Sequence, residues 1–234
     1  MPRAAGRSLA LSRELVRAVH PAPVPDSGAP MTLLTDAEID VLLDRSYAEA
    51  GRPREVWVFA YGSLMWRPEV SVDETRIAAV AGWHRRFCLW QWRSRGSRER
   101  PGMMLALDRG GSCRGLAYRL AGADLRDRLR VLWQRELRGN GYRVRWLPAA
   151  TDGGTVRAVT FVINRDSERY AGRVDDAVAA RHIATACGSR GPSAEYLCET
   201  VLRCHELGIR DRHLLRLQAL VADHLRAFRT GPAE

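Results

Sequence analysis

The segment VWVFAYGSLMWRPE, residues 56–69, joins a run of apolar β-forming residues to a short polar loop. The loop and its aromatic flank consist of Tyr61, Gly62, Ser63, Leu64 and Trp66. A glycine lets the backbone bend, and consecutive N–H groups in such a bend can point at one ligand. We therefore predict a binding loop. An ordinary turn between core aromatic residues is the alternative.

A carboxylate lies in an apolar row on a predicted helix over residues 124–137. The row repeats at helical spacing and consists of Leu125, Leu129, Leu132 and Trp133. Glu136 is its next member, and a carboxyl group that loses hydration becomes a better general acid/base because its pKa rises. A structural ion pair with Arg86 or Arg143, or exposure at a frayed last turn, are the alternatives. The intervening charged residues, Arg126, Asp127, Arg128 and Arg130, are predicted to face solvent.

Apolar periodicity and turn residues predict the elements that position this loop and this helix. Thr35 and Glu38 form a capping box that starts a helix, which Gly51 ends. Strands are predicted over 56–60, 77–91, 103–107, 115–120, 142–147 and 155–163, and later helices over 175–185, 193–207 and 211–226. We interpret 110–112 as a turn and 152–154 as a hairpin turn. Strands first and helices last predict an α+β fold with a small, mostly antiparallel β-barrel and surrounding helices.

The composition indicates a globular protein of 234 residues, and no apolar run approaches the length needed to cross a bilayer. The net charge is +10, and all 37 basic residues are arginine. They are scattered apart from a cluster at 93–100, so we predict no nucleic-acid partner and favour an anionic small substrate. Five cysteines without a CxxC motif indicate reduced thiols, and we predict a cytoplasmic protein with no metal site.

The chain is predicted to have three parts. Residues 1–30 form a flexible N-terminal extension, in which 9–19 could be an amphipathic helix. Residues 31–53 form a helix and linker, and residues 54–230 form the main domain. Met31 is an alternative start of the protein.

Several distinctive segments follow one another along the chain: VWVFAYGSLMWRP, GWHRRFCLW, RPGMMLAL, GLAYRL, LWQREL followed by GY, and CGSRGPSAEYL. Taken in this order, they resemble the ChaC-like, glutathione-specific branch of the γ-glutamylcyclotransferases. The resemblance covers residues 56–225. It implies a small β-barrel with packed helices and the cleavage of glutathione to 5-oxoproline and cysteinylglycine, with no metal or organic cofactor.

The resemblance also implies roles for individual residues. Glu136 would be the acid/base, and the loop from Tyr61 to Leu64 would hold the γ-glutamyl group. The remaining predicted substrate-binding residues are Trp66, Arg86 and Tyr196, for which core packing or surface exposure are the alternatives. Family members often have an arginine where this chain has Met103, so any contact that this arginine makes with the substrate must come from another residue or be absent.

Two other functions stay open at this point. One keeps the chemistry but uses another γ-glutamyl-amino acid or γ-glutamyl-amine as the donor. The other is a catalytically silent binding module, which the positive charge would suit. We favour the glutathione enzyme, acting as a monomer.

Overall fold

The computed structural model describes residues 9–26, 28 and 30–230. The chain divides into two compact units. The barrel unit comprises residues 30–90 and 104–173, and the helical unit comprises the described residues of 1–29, 91–103 and 174–234. The domain predicted over 54–230 thus contributes to both units.

Five strands form a closed barrel. They are β1 (Glu55–Ala60), β2 (Glu74–Gln91), β3 (Gly102–Ala121), β4 (Tyr142–Thr151) and β5 (Gly154–Ile163), and neighbours in the barrel follow the order β1-β3-β2-β4-β5. The β1–β3, β2–β4 and β4–β5 pairs are antiparallel, whereas β1–β5 and β3–β5 are parallel. The predicted α+β fold with a mostly antiparallel barrel is confirmed, since closure requires only short parallel pairings.

The predicted binding loop directly follows β1. Five of the six residues of β1 are buried, and it is hydrogen-bonded to β3 on one side and to β5 on the other. A strand buried on both faces is expected to be continuously apolar, as VWVFA is. The hairpin between β4 and β5 is also as predicted, because Thr151 pairs with Gly154 and leaves a two-residue turn of Asp152 and Gly153.

The turn predicted at 110–112 is wrong. β3 continues through it as one strand of 20 residues, joining the two strands predicted over 103–107 and 115–120. Gly110 and Gly111 adopt φ values of +102° and +66° within the strand. Glycine tolerates this backbone without a Cβ penalty, so the pair bends the strand without reversing it.

Two helices belong to the barrel unit, α2 (Asp36–Glu49) and α3 (Leu125–Leu137). The capping box of α2 is confirmed, because the Glu38 N–H donates to Thr35 Oγ1 at 3.2 Å and the Thr35 N–H donates to Glu38 Oε2 at 2.8 Å. The predicted solvent position of Arg128 on α3 is wrong. Arg128 is buried and donates to the Ser71 carbonyl and to Asp73, so its charge is compensated by a distant loop.

The helical unit contains α1 (Arg13–Val19), α4 (Asp176–Thr185), α5 (Ser193–Glu206) and α6 (Arg212–Thr230). A two-stranded ribbon, β6 (Cys187–Gly188) with β7 (Gly191–Pro192), lies between α4 and α5. Among the described residues, none of these helices is long and apolar enough to span a membrane.

The predicted extension over residues 1–30 contains ordered structure. α1 forms within the amphipathic segment identified in the sequence, and its Leu15 and Val16 are buried. The preceding Leu11 is 2% exposed, and its N–H donates to Gln218 of α6 at 2.8 Å. This packing corrects the expectation of a flexible segment for the part around α1, whereas residues 1–8 lie outside the described residues.

Candidate functional site

The loop after β1 forms a single turn of 3-10 helix, Ser63–Met65. The Met65 N–H donates to the Gly62 carbonyl at 2.9 Å, and the Arg67 N–H donates to the Ser63 carbonyl at 2.8 Å. The structure gives the N–H groups of Gly62, Ser63 and Leu64 no hydrogen-bond acceptor among the described residues. Three consecutive donors therefore stay available at the start of the turn, as expected where a helical turn begins.

Side chains from two other strands hold this loop in place. Arg85 on β2 is buried, and its Nε donates to the Tyr61 carbonyl at 2.7 Å. The Tyr118 hydroxyl on β3 donates to the Leu64 carbonyl at 3.1 Å. The hydroxyl of Tyr61 donates in turn to the Phe161 carbonyl on β5, at 2.7 Å. The loop is thus fixed to three strands of the barrel, which gives a rigid framework for its donors.

Glu136 lies in the last turn of α3, with 14% of its side chain exposed. Arg135 is equally buried, and its Nε lies 3.0 Å from Glu136 Oε1. The Nη2 of the same guanidinium donates to Ser63 Oγ at 2.8 Å, and its Nη1 donates to the Arg67 carbonyl. One arginine therefore links the predicted acid/base to the predicted binding loop.

The environment of Glu136 favours its protonated form. Burial raises the pKa of Glu136 above its ordinary value of 4.5, the Arg135 guanidinium opposes that rise, and the negative charge of Glu69 adds to it. The last turn of a helix is also the negative end of the helix dipole, which disfavours a carboxylate. A carboxyl group in these surroundings holds its proton more strongly than an exposed one, which suits a group that has to donate as well as accept protons.

The structural alternatives for Glu136 can now be compared with its contacts. Arg143 is paired with Asp166 instead, and Arg86 makes no hydrogen bond or ion pair with Glu136. The partner of Glu136 is the adjacent Arg135. Exposure at a frayed end also does not apply, because α3 extends through Leu137.

The other predicted site residues occupy different surroundings. Trp66 is half-buried at the end of the 3-10 turn, next to the donors of the loop. Arg86 is half-buried and follows Arg85 on β2. Because successive side chains of a strand point to opposite faces, Arg86 lies on the opposite face of β2 from Arg85, which contacts the loop. Tyr196 is 3% exposed in α5 and belongs to the helical unit. Its role in substrate binding, like that of Arg86, stays a prediction.

Met103 is fully buried in the helical unit, and its backbone N–H and carbonyl both hydrogen-bond to the Ser193 hydroxyl, at 3.2 and 2.9 Å. A thioether in this position has no charge with which to bind an anion. An arginine grip at this position is therefore absent from the chain.

Sequence reasoning missed Arg85, Tyr118 and Arg135 as supports of the site. Arg135 is next to Glu136 in LWQREL, but local spacing cannot show that its guanidinium reaches Ser63, which is 72 residues away in the sequence. Arg85 and Arg86 are adjacent arginines on a strand, and only the alternation of the formed strand distinguishes them.

The cysteines do not form part of this site. None of the five forms a disulfide bond, and burial raises the pKa values of Cys88 and Cys198 to about 12. Thiols with such pKa values are poor nucleophiles at neutral pH. Among the described residues, no group of three or more histidine, cysteine, aspartate or glutamate side chains is arranged to hold a metal ion.

Comparison with known proteins matches residues 56–224 to the family described as ChaC-like protein. The chain is 39% identical over 165 residues to a protein of Escherichia coli (strain K12) named glutathione-specific gamma-glutamylcyclotransferase, an alignment that covers 69% of this chain and 71% of that protein. The human protein named glutathione-specific gamma-glutamylcyclotransferase 1 is 32% identical over 152 residues, covering 63% of this chain and 68% of the human one.

A solved structure supports the same fold. The crystal structure of a selenomethionine-labelled gamma-glutamyl cyclotransferase specific to glutathione from yeast superposes with a TM-score of 0.69 at 19% identity, covering 74% of this chain and 97% of the yeast one. The family match spans well over half of the sequence and includes β1, the loop after it and α3. This chain belongs to the ChaC-like protein family.

Proposed function

We propose that this protein is a γ-glutamylcyclotransferase that cleaves glutathione to 5-oxoproline and cysteinylglycine. The observation that carries the proposal is the pairing of a buried, protonatable Glu136 with a donor-rich loop through Arg135. The names of the relatives from E. coli and human support glutathione as the substrate.

The reaction is an intramolecular aminolysis. The α-amine nitrogen of the γ-glutamyl group attacks its own γ-carbonyl carbon, a five-membered ring closes, and the amide bond to the cysteinyl nitrogen breaks. No water is consumed, because the α-amine gives up one proton and the departing cysteinyl nitrogen takes up one proton. The enzyme mainly has to hold the substrate in a bent conformation, and such orientation is worth about 7–11 kcal/mol in well-organised sites.

Glu136 would move that proton. It accepts a proton from the α-amine, which must be neutral to attack, and then donates a proton to the departing cysteinyl nitrogen. A carboxyl group with an ordinary pKa is a poor donor at neutral pH, whereas the raised pKa of Glu136 suits both steps.

The loop would hold the α-carboxylate of the substrate. The N–H groups of Gly62, Ser63 and Leu64 are consecutive donors without an acceptor among the described residues, and the Ser63 hydroxyl can add a fourth. Tyr61 and Trp66 would form walls that exclude water. A nucleophilic role for Ser63 is not favoured, because its hydrogen-bond partner is Arg135, which has no acceptor for a proton.

A second candidate is the same reaction on other γ-glutamyl amides. The observation that favours it is the buried Met103, which stands at a position where members of this family often have an arginine. A looser grip on the rest of the donor would admit shorter γ-glutamyl compounds. A cytoplasmic, monomeric protein without a nucleic-acid partner is part of the proposal.

Purified protein incubated with reduced glutathione, oxidised glutathione and γ-glutamyl-alanine tests the proposal by release of 5-oxoproline. We expect turnover of reduced glutathione to exceed that of the other two. The variant Glu136→Gln should lower kcat by about 10²–10⁴-fold while remaining folded, since that is the usual contribution of a general acid/base.

Glu49→Gln is a matched control, because Glu49 is an exposed carboxylate on α2 whose ion-pair partner is Arg45. It should leave turnover unchanged. Absence of 5-oxoproline from every donor, or near-native activity of Glu136→Gln, contradicts the proposed mechanism. Salt-sensitive binding of nucleic acid without turnover would indicate the binding module instead.

A further inference from the structure

Arg135 contacts more groups than any single ion pair requires. Its guanidinium donates to Ser63 Oγ and to the Arg67 carbonyl, and it lies 3.0 Å from Glu136 Oε1 and 3.5 Å from Glu69 Oε1. Its side chain is 14% exposed, whereas Arg126 on the same helix is 50% exposed. A nearly buried guanidinium with several acceptors is held in one geometry, which a surface arginine is not.

The contact with Ser63 sets the direction of the Ser63 hydroxyl. A guanidinium has only donors, so Ser63 Oγ must accept this hydrogen bond. The hydroxyl hydrogen is then left to be donated elsewhere. In the proposed reaction the available acceptor is the carboxylate of the substrate held by the same loop.

The contact with Glu136 restricts the carboxylate. Oε1 is held by Arg135 Nε, so the side chain cannot rotate freely, and Oε2 is left for proton transfer. A base that is held in one orientation loses less entropy when it meets its substrate. The same guanidinium therefore aligns the loop and the proton-transferring group with each other.

We propose that Arg135 is a positioning residue that couples the substrate-binding loop to Glu136, by directing the Ser63 hydroxyl toward the substrate carboxylate and holding one oxygen of Glu136. This inference rests on the proposed function and deepens it. Arg135 need not touch the reacting atoms. It acts through Ser63 and Glu136.

Glu69 provides an opposing charge in this cluster. It has a left-handed φ of +61°, and its carboxylate lies 3.1 Å from Arg67 Nε. The charged groups that act on Glu136 are Arg135, which lowers its pKa, and Glu69, which raises it. Loss of either charge should therefore move the pH dependence of the reaction, in opposite directions.

The test measures kcat, KM and the acid limb of kcat/KM for glutathione in four proteins. They are Arg135→Gln, Arg135→Lys, Glu69→Gln and the control Arg126→Gln, which removes an exposed arginine of α3 that is paired with Asp44. Circular dichroism and thermal melting establish that each variant is folded.

Arg135→Gln should move the acid limb to higher pH, because Glu136 loses a stabilising cation and must be deprotonated to accept the amine proton. It should also raise KM by about 10-fold or more, the usual cost of a lost hydrogen bond to a charged group. Glu69→Gln should move the acid limb to lower pH. Arg135→Lys should keep the acid limb near that of the wild type, because the positive charge remains. It should still raise KM, since an ammonium group lacks the planar set of N–H donors with which the guanidinium contacts Ser63 and Glu136 together.

An unmoved acid limb in Arg135→Gln together with an unchanged KM would overturn the inference while the enzyme activity itself stands. A wild-type KM in Arg135→Lys would also overturn the inference about Arg135. If Arg135→Gln does not fold, Arg135→Lys provides the test. Wild-type protein without turnover on any γ-glutamyl donor would refute the proposed function instead.

Discussion

Glu136 combines two properties that oppose each other. Burial makes it a useful proton carrier, and the same burial makes its ionised form costly. Arg135 offsets part of that cost without neutralising the site, because it is shared among several other acceptors. Glu136 therefore keeps a raised pKa although it has an ion-pair partner.

This balance predicts how Glu136 affects stability. Its pKa in the folded protein lies above the unfolded value, so its contribution to stability is fully present below the unfolded pKa and is lost as pH rises through the folded pKa. Above that window the ionised carboxylate costs stability. Glu136→Gln should therefore melt at a higher temperature than the wild type at pH 8, by about 2–4 °C for each kcal/mol relieved.

The difference in melting temperature should shrink toward zero as pH falls to 4. Differential scanning calorimetry at both pH values measures it. A variant that is less stable than the wild type at pH 8 would show that Glu136 is a net structural contributor, contrary to this expectation.

β1 and β3 position the loop through their close approach. A Cβ added at Gly115 of β3 would lie 2.2 Å from the Ala60 carbonyl oxygen and 3.1 Å from Phe59 Cζ. Ala60 is the last residue of β1 before Tyr61. The absence of a side chain at Gly115 therefore determines how near β3 lies to the strand end that carries the loop.

Gly115→Ala should destabilise the protein by about 1–3 kcal/mol, because backbone atoms of β1 have to shift. It should also lower kcat/KM for glutathione, since the loop donors move with Ala60. Gly153→Ala in the β4–β5 turn is the control, because its Cβ would meet only the flexible end of Arg76. Urea unfolding and steady-state kinetics measure both effects, and equal behaviour of the two variants would contradict this role for Gly115.

The two units differ in what stabilises them. The barrel unit is closed by strand pairing, whereas the helical unit brings together segments from the two ends of the sequence. α1 contributes buried side chains there, and Arg13 forms an ion pair with Glu199 of α5. A segment that looks like an appendage in the sequence is therefore part of a hydrophobic core.

A shortened protein starting at Met31 should lose this contribution. The buried side chains of Leu11, Leu15 and Val16 are each worth about 1.5–3 kcal/mol before the entropy of ordering is subtracted. We expect the melting temperature to fall by on the order of 5 °C. Arg17→Ala, which changes an exposed residue of α1, should leave it unchanged. An unaltered melting temperature of the shortened protein would show that α1 does not stabilise the fold.

Local patterns in the sequence were sufficient for much of the architecture. The capping box at Thr35, the apolar strand before Tyr61 and the turn at 152–154 all depend on residues a few positions apart, and the structure has each of them. The placement of Glu136 on the buried row of α3 also follows from spacing alone.

Contacts between distant residues were decided only by the tertiary structure. The buried Arg128 pairs with Asp124, four residues away, and with Asp73, 55 residues away, and only the second pairing depends on the tertiary fold. Gly110 bends a strand because β3 continues to pair beyond it. The link from Arg135 to Ser63 spans 72 residues. Sequence periodicity indicates which face of a helix or strand is apolar. It does not indicate which distant side chain will be the hydrogen-bond or ion-pair partner of a buried polar group, and such pairs assemble the site.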